Sequence, residues 1–438
     1  MHGEYSKLLL YSAIGADSIL GKLAAIFEDW QEDRAGKDAL RRRVLVEIKR
    51  LLDLATENGF DENLWHNYLS YLLMSTENSF SLSCERVGAL DGSVNHFAKR
   101  DCAAFHRLFH FDFAPIEAAL DIDAFTVLQS YRAIPKKERR YNKAVSEAVQ
   151  TLSRALGAAA DGDAVFAIIT EYYRRFGVGL LGQNRAFRLH AEEGGQALEF
   201  LPIRNADGLR LDDLLGYELQ KQQLRENTEA FVAGRPANNA LLYGDSGTGK
   251  STSVRALVNE YYDDGLRMIE LYKHQFRLLS PLIACLKNRN YRFIIFIDDL
   301  SFESGEVEYK FLKAVIEGGV EERPENILIY ATSNRRHLVR EMWKDRDDTE
   351  FTGELHRSDT VEETLSLSAR FGALIHYGIP SRAAYHEMAR VLAARQGLVI
   401  SDEALYAEAN KWEIRHGGVS GRTARQLINH LAGKGETT

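Results

Sequence analysis

Eight consecutive residues, Gly244-Asp245-Ser246-Gly247-Thr248-Gly249-Lys250-Ser251, have the types and the spacing to hold a phosphate. The glycines permit positive φ angles and leave no Cβ to block an approaching anion. Lys250 supplies a cation for terminal phosphates, and the Ser251 hydroxyl supplies a hard oxygen for Mg²⁺. The stretch fits the P-loop pattern G-x-x-x-x-G-K-[ST] and lies where that pattern can work. Ahead of it, Ala240–Tyr243 reads as a buried strand. Behind it, from Thr252 to Tyr262, apolar residues recur at helical spacing. Strand, turn and helix start together aim several backbone N–H groups at one anion, and the helix dipole adds to their pull. Gly244 to Ser251, with Thr252 in the first helical turn, is therefore expected to bind a nucleoside triphosphate.

Hydrolysis needs more than a phosphate cradle. The apolar run Phe293-Ile294-Ile295-Phe296-Ile297 ends in Asp298-Asp299, two acids at the carboxyl end of a predicted central strand. Ligands of such sheets bind outside that end. Asp298 is expected to serve Mg²⁺ with Ser251, and Asp299 to act as base or orienter for the attacking water. The next predicted strand, Ile327–Thr332, runs into Ser333-Asn334, and the Asn334 amide is the candidate γ-phosphate sensor, with Ser333 or Thr332 as sharers of that role. Arg370, before the last predicted strand, is placed to enter a neighbouring subunit's site as a trans-acting finger. Arg422 opens a later helix and is expected to report nucleotide state, with Arg425 one turn on as the alternative. Leu215, Gly216 and Tyr217 precede the P-loop by one helix and are candidates for an adenine pocket, although core packing explains the leucines equally well.

The elements that must position these residues follow from the pattern along the chain. Residues 1 to about 185 read as helical, over Leu8–Trp30, Leu40–Leu54, Val145–Leu156 and Val165–Phe176 among others. A hairpin follows, Phe187–His190 and Ala197–Ile203 around Glu192-Glu193-Gly194-Gly195. It belongs to a linker region, 186–207, that closes in the turn Asn205-Ala206-Asp207-Gly208. From 208 to 380, strands at Ala240–Tyr243, Leu266–Leu271, Phe293–Ile297, Ile327–Thr332 and Leu374–Ile379 alternate with helices such as His274–Lys287 and Val307–Gly318. That alternation predicts a parallel sheet with helices on both faces. Residues 381–438 then carry three amphipathic helices, Arg382–Arg395, Asp402–Arg415 and Gly421–Leu431, a small helical lid.

The chain has 438 residues, 45% hydrophobic and 27% charged, too long for one ordinary core. Its cysteines, Cys84, Cys102 and Cys285, fit neither a zinc site nor a disulfide framework, which predicts a reducing cytoplasm. Leu8-Leu9-Leu10 begins an amphipathic helix rather than a signal peptide, and no segment has the length to span a membrane. A net charge of −8 gives no global attraction to nucleic acid. Arg132, Lys136, Lys137, Arg139, Arg140 and Lys143 form a local basic cluster, with Tyr131 and Tyr141 nearby and Pro135 at its start. Such a run is more often a solvated face than a nucleic-acid site, so nucleic acid is not the favoured partner. His337 after Arg335-Arg336 reads as an exposed turn residue, and Tyr172-Tyr173 as core.

The ordered set of P-loop, Asp298-Asp299, Asn334, Arg370 and Arg422 resembles an AAA+ ATPase module. The double Asp is similar to the replication-initiator and helicase-loader branch, where other branches usually carry Asp-Glu. Further stretches resemble the bacterial family catalogued as domain of unknown function 815: Leu214-Leu215-Gly216-Tyr217-Glu218, Asn227-Thr228-Glu229-Ala230-Phe231, Pro236-Ala237-Asn238-Asn239, Asp298-Asp299-Leu300-Ser301-Phe302, Tyr330-Ala331-Thr332-Ser333-Asn334-Arg335-Arg336-His337-Leu338 and Ser420-Gly421-Arg422-Thr423-Ala424-Arg425-Gln426. The likeness covers roughly 187 to 433 closely and the helical part more loosely. Ala369 departs from it, because that family leads one to expect an acid before the arginine, and the departure puts trans activation by Arg370 in doubt. The resemblance implies binding and hydrolysis of ATP, with Mg²⁺ carried by the nucleotide, and supplies no substrate. Arg370 acting in trans requires a homo-oligomer, formed on ATP binding, and the separate N-terminal domain is the place expected to choose an unidentified protein partner. Asp299 in place of Glu also leaves open a nucleotide-dependent switch with little turnover, since the shorter arm positions water less well.

Overall fold

The computed structural model describes residues 1–134, 141–191, 198–203, 208–302, 308–317, 324–334, 338 and 367–434. The chain divides into two compact units, Met1–Asn184 and Arg185–Thr438.

The first unit is built from helices: α1 His2–Tyr5, α2 Ile19–Gln31, α3 Lys37–Asn58, α4 Leu64–Ser75, α5 Ser79–Val87 and α6 Ser93–Phe109, then α7 Ala114–Leu120, α8 Ala124–Gln129, α9 Lys143–Gly157, α10 Gly162–Phe176 and α11 Gly179–Gln183. Their apolar stripes bury one core that includes Phe27, Trp65, Phe105 and Tyr173. Tyr172 and Tyr173 are both buried in it, as expected of core residues.

The predicted helix Leu8–Trp30 is shorter than its periodicity suggests. It starts only at Ile19, where the Ser18 hydroxyl accepts the Gly21 N–H and caps it. The chain before it is held in turns by the fully buried Asp101, whose carboxylate accepts the backbone N–H groups of Leu9, Leu10 and Tyr11 at 2.8 to 3.2 Å. One buried carboxylate thus takes the place of the backbone carbonyl acceptors that a helix would have supplied. Of the basic cluster, Lys136, Lys137, Arg139 and Arg140 lie outside the described residues, as do Arg335, Arg336 and His337.

The second unit is centred on a sheet of seven strands: β1 Ala186–Ala191, β2 Leu198–Pro202, β3 Ala240–Gly244, β4 Leu266–Glu270, β5 Arg292–Ile297, β6 Ile327–Ser333 and β7 Ala373–Tyr377, in spatial order β2-β1-β4-β5-β6-β3-β7. Among the described strands, only the β1–β2 pair is antiparallel. All five strands predicted between 208 and 380 are present, each within two residues of its expected ends. The hairpin, however, is no linker. β1 pairs in parallel with β4, Arg188 opposite Glu270, so it extends the sheet. β4, β6, the start of β3 and β5 after Arg292 are buried, which explains the apolar runs of β3, β5 and β6; β4 also buries Arg267 and Glu270.

The described helices of this unit are α12 Glu218–Val232, α13 Lys250–Tyr261, α14 Leu279–Leu286, α15 Glu308–Glu317, α16 Arg382–Arg395, α17 Asp402–His416 and α18 Gly421–Lys434. The stretch His274–Lys287, expected as one helix, is a 3-10 segment, Lys273–Leu278, followed by α14. Pro281 has no N–H to give the preceding turn, so the α-helix restarts with the proline in its own first turn. The last three helices bury a separate small core around Tyr385, Leu405 and Leu427.

Asp101→Ala would leave three backbone donors without their acceptor. We expect it to lower unfolding free energy by about 3 kcal/mol in urea titrations. A surface acid such as Asp53, 63% exposed along its side chain, should cost less than about 0.5 kcal/mol when replaced in the same way.

Candidate functional site

The carboxyl ends of β5, β6 and β3 lie side by side and carry Asp298-Asp299, Thr332 to Asn334, and the loop 244–251. The loop leaves β3 at Gly244, where φ is +130° and a Cβ would run into the Tyr377 carbonyl oxygen of β7. The Asp245 N–H donates to that same oxygen at 3.0 Å, which pins the start of the turn. The Thr248 hydroxyl donates to the Asp245 carbonyl at 2.8 Å and closes it. α13 then begins at Lys250, with Gly249 in a left-handed conformation and no side chain capping the first turn. The leading amides, Lys250, Ser251 and Thr252, have no carbonyl to bond within the helix and sit at its positive end.

Lys250 reaches back across this loop. Its ammonium donates to the carbonyls of Gly244 at 2.8 Å and Asp245 at 2.6 Å, and to Oδ1 of Asn334 at 3.1 Å. Burial pulls its pKa below the usual lysine range, opposed by the charges of Asp245, Asp299 and Asp298. The other end of the Asn334 amide donates to Oδ1 of Asp299 at 2.9 Å. One amide therefore spans the lysine and the second acid.

The first acid is held differently. Asp298 Oδ1 accepts from the Ser251 hydroxyl at 2.5 Å and from the Thr332 hydroxyl at 2.6 Å. Thr332 Oγ1 in turn accepts the Asp299 N–H at 2.9 Å. Asp299 has φ +54°, a left-handed backbone that turns the chain sharply after β5. Asp298 also accepts at Oδ2 from Arg255 Nη2, at 3.1 Å.

Above the loop lies a cleft of about 590 Å³. Leu214, Leu215, Met388 and Leu392 give it an apolar wall, while Arg422, Arg425, Gln426 and Asn429 line it from α18. The lid comes close because the loop carries glycine. The Arg422 N–H donates to the Gly247 carbonyl at 3.3 Å, and a Cβ on Gly247 would stand 2.9 Å from the Ser420 hydroxyl. Ser420 and Thr423 bond each other's backbone N–H groups and fix where α18 begins.

The structure thus gathers Ser246 to Thr252, Asp298, Asp299, Asn334, Leu215, Arg422 and Arg425 around one cleft. Gly244 and Asp245 stand behind it and shape the loop. Gly216 has φ +76° beside Met388. Tyr217 is not among the lining residues: its ring packs on Tyr377 with centroids 5.1 Å apart, and its hydroxyl donates to the Gly378 carbonyl at 2.8 Å. Burial pushes that hydroxyl's pKa up to about 12. Arg370 lies in the turn before β7, its N–H donating to the Leu367 carbonyl, and it too is not among the cleft residues. Sequence reasoning missed Arg255, although it lies four residues after Ser251 and so on the same helix face. It also missed Gln426 and Asn429, which follow Arg422 at four and seven residues, the spacing of one helix face.

The donor chemistry suits Mg²⁺ and a polyphosphate. Mg²⁺ takes hard oxygens and is commonly held by one or two carboxylates together with substrate phosphates. Ser251 and Asp298 supply two such oxygens. Among the described residues no group of three or more His, Cys, Asp or Glu could hold a metal alone. No described helix is long and apolar enough to cross a membrane.

A mostly parallel sheet with the P-loop strand between β6 and β7, an acid pair after β5 and a helical lid is the architecture of the AAA+ fold. Within that class, the chain belongs to the family described as protein of unknown function (DUF815), which it matches over residues 182–435. The replication factor C large subunit of Staphylothermus marinus is 27% identical over 115 residues, 24% of this chain and 26% of that protein. The chain therefore spans about a quarter of the length of this curated relative. Among solved structures, the Thermotoga maritima RuvB Holliday junction branch migration motor is 17% identical, with a TM-score of 0.35 over 50% of this chain and 63% of that one. A FIGL-1 AAA domain in complex with ADP is 18% identical, with a TM-score of 0.35 over 51% and 73%.

Gly247→Ala should push the lid from the loop and strain a left-handed position. A loss of at least about tenfold in ADP affinity is expected by calorimetry, with an unchanged circular dichroism spectrum.

Proposed function

We propose that this protein binds Mg-ATP and hydrolyses it to ADP and phosphate, and that the cycle drives its own assembly and the remodelling of a macromolecular partner. The observation that carries this reading is the Asn334 amide held between Lys250 and Asp299. It joins an ammonium, a neutral amide and a carboxylate in one hydrogen-bonded group, which supports reading Lys250 as the cation for the γ-phosphate and Asp299 as the base.

In this reading the loop amides and Lys250 hold the phosphates, and Ser251 and Asp298 hold Mg²⁺. The metal, when bound, neutralises charge on the β- and γ-phosphates. Asp299 accepts a proton from the attacking water, and Asn334 orients that water or the γ-phosphate. Leu214, Leu215, Met388 and Leu392 provide apolar surface for a base, with Tyr217 supporting that wall from behind. Arg422 and Arg425 bring the lid to the phosphates. Arg370 completes a neighbour's site, which requires a homo-oligomer formed on ATP binding. The helical unit, residues 1–184, engages a protein partner in the cytoplasm, and nucleic acid is the less favoured choice.

A second reading has a specific observation in its favour. Asp299 already accepts a hydrogen bond from Asn334 and has a short arm. Both features favour slow turnover and a nucleotide-loaded state that acts as a binding switch.

The deciding measurement is ATP turnover per protomer across a wide protein concentration range, with Lys250→Ala as the blank. A motor gives a rate that rises with concentration and falls at least about 100-fold in Arg370→Ala. A flat, very low rate that Arg370→Ala leaves unchanged selects the switch.

Asp299→Asn separates binding from chemistry. We expect ATP affinity within about threefold of the parent and turnover reduced at least about 100-fold, measured by calorimetry and phosphate release.

A further inference from the structure

The acid assigned to Mg²⁺ has a partner that the P-loop chemistry does not call for. Arg255, on α13, donates through the single nitrogen Nη2 to Glu270 Oε1 at 2.9 Å and to Asp298 Oδ2 at 3.1 Å. Glu270 ends β4 and its side chain is only 5% exposed. Its other oxygen accepts from Arg188 Nε at 2.9 Å. Arg188 lies on β1, in register with Glu270 across the parallel pair. Four charged residues thus alternate in sign, Arg188, Glu270, Arg255, Asp298, from the edge hairpin to the carboxylate beside Ser251.

We propose that Arg255 is a positioning residue for Asp298, anchored by Glu270 and Arg188, so that the hairpin strand β1 is coupled to the metal-holding acid. The inference rests on the Mg-ATP reading above. Holding Oδ2 with the guanidinium leaves Oδ1 turned to the Ser251 and Thr332 hydroxyls. Without Arg255, a poorly exposed carboxylate, Glu270, stands near Asp298 with no cation between them. Like charges then disfavour the geometry in which Asp298 faces its hydroxyl partners. The coupling to β1 follows from the same chain. Any partner that shifts β1 acts on Arg188, through Glu270 on Arg255, and so on the acid.

The test uses the full chain and a fluorescent ATP analogue, read as binding rather than turnover. The parent's affinity is measured without metal and across a Mg²⁺ titration. Arg255→Ala is expected to raise the Mg²⁺ midpoint about tenfold, the order found for residues that orient metal ligands. Metal-free affinity should stay within about twofold. Arg255→Lys also presents one nitrogen to both carboxylates and should restore the midpoint to within about threefold of the parent. Arg188→Ala should shift it in the same direction by less, because Arg188 is two steps removed.

A parent that responds to Mg²⁺ with a midpoint indifferent to Arg255→Ala would overturn this inference alone. So would a variant whose metal-free affinity falls as far as its Mg²⁺ response, since that marks general damage to α13. A parent whose affinity ignores Mg²⁺ would remove the metal reading of Asp298, and the inference with it. A midpoint that falls in Arg255→Ala would show Arg255 competing with the metal rather than preparing its ligand, and would also overturn the proposal.

Discussion

The carboxylate of Asp298 is where the sheet unit is tied together. Ser251 reaches it from α13, Thr332 from β6, and Arg255 from one turn further along α13. Each contact is a hydrogen bond to a charged oxygen, stronger than its neutral counterpart. Together they fix the helix start against two strands. The loop 244–251 can then be glycine-rich and still hold one shape, because both of its ends are held. Gly244 is locked against Tyr377, and Ser251 is locked onto Asp298. A loop that is permissive residue by residue becomes rigid through its anchors.

The lid depends on a second constraint, carried by Tyr217. This residue takes a left-handed backbone, φ +60°, uncommon for a bulky side chain. Its ring contributes to the sheet's core and also to the small core of the last three helices. Its hydroxyl, neutral over the physiological range, donates to Gly378 just beyond β7. The backbone strain is offset by contacts on both sides, a pattern common where geometry must be held. Leu214 and Leu215, just before Tyr217, consequently face the cleft from a rigid base. Tyr217 serves the apolar wall by supporting it.

Much of this was legible in the chain. The five runs predicted between 208 and 380 became the parallel strands; β5 and β6, inside the sheet, read as near-continuous apolar segments because both their faces are covered, while the edge strand β7 alternates in burial. Gly244–Ser251, Asp298-Asp299 and Asn334 came together because strands of a parallel sheet deliver their carboxyl ends to one edge. Less was legible wherever a long-range charge overrode local periodicity. The stretch from Leu8 to Trp30 has helical spacing, yet Asp101, about ninety residues on, captures the amides of Leu9, Leu10 and Tyr11. Arg255 looks like an ordinary helix-surface arginine until Glu270 and Asp298 are brought beside it by the pairing of β4 with β5. The hairpin gave no local sign of joining the sheet, since its register with β4 is a tertiary property. Periodicity reports burial; it does not report which distant charge will be a neighbour.

The acid pair itself shows how an Asp can stand where a longer arm is usual. Asp299 has one methylene fewer than Glu, so its carboxylate lies nearer its own backbone. The left-handed φ of +54° changes the direction in which that short arm leaves the chain. The Thr332 hydroxyl accepts the Asp299 N–H and stabilises this unusual turn, while donating its own proton to Asp298. Thr332 therefore sets both acids at once: the first through its carboxylate, the second through its backbone. Asn334, two residues further along the same β6 end, meets the carboxylate so aimed. In the proposed reaction, reach lost in the side chain is recovered in the backbone. Asn334 occupies Oδ1 of Asp299, so in the proposed reaction a water meets a carboxylate that an amide already orients.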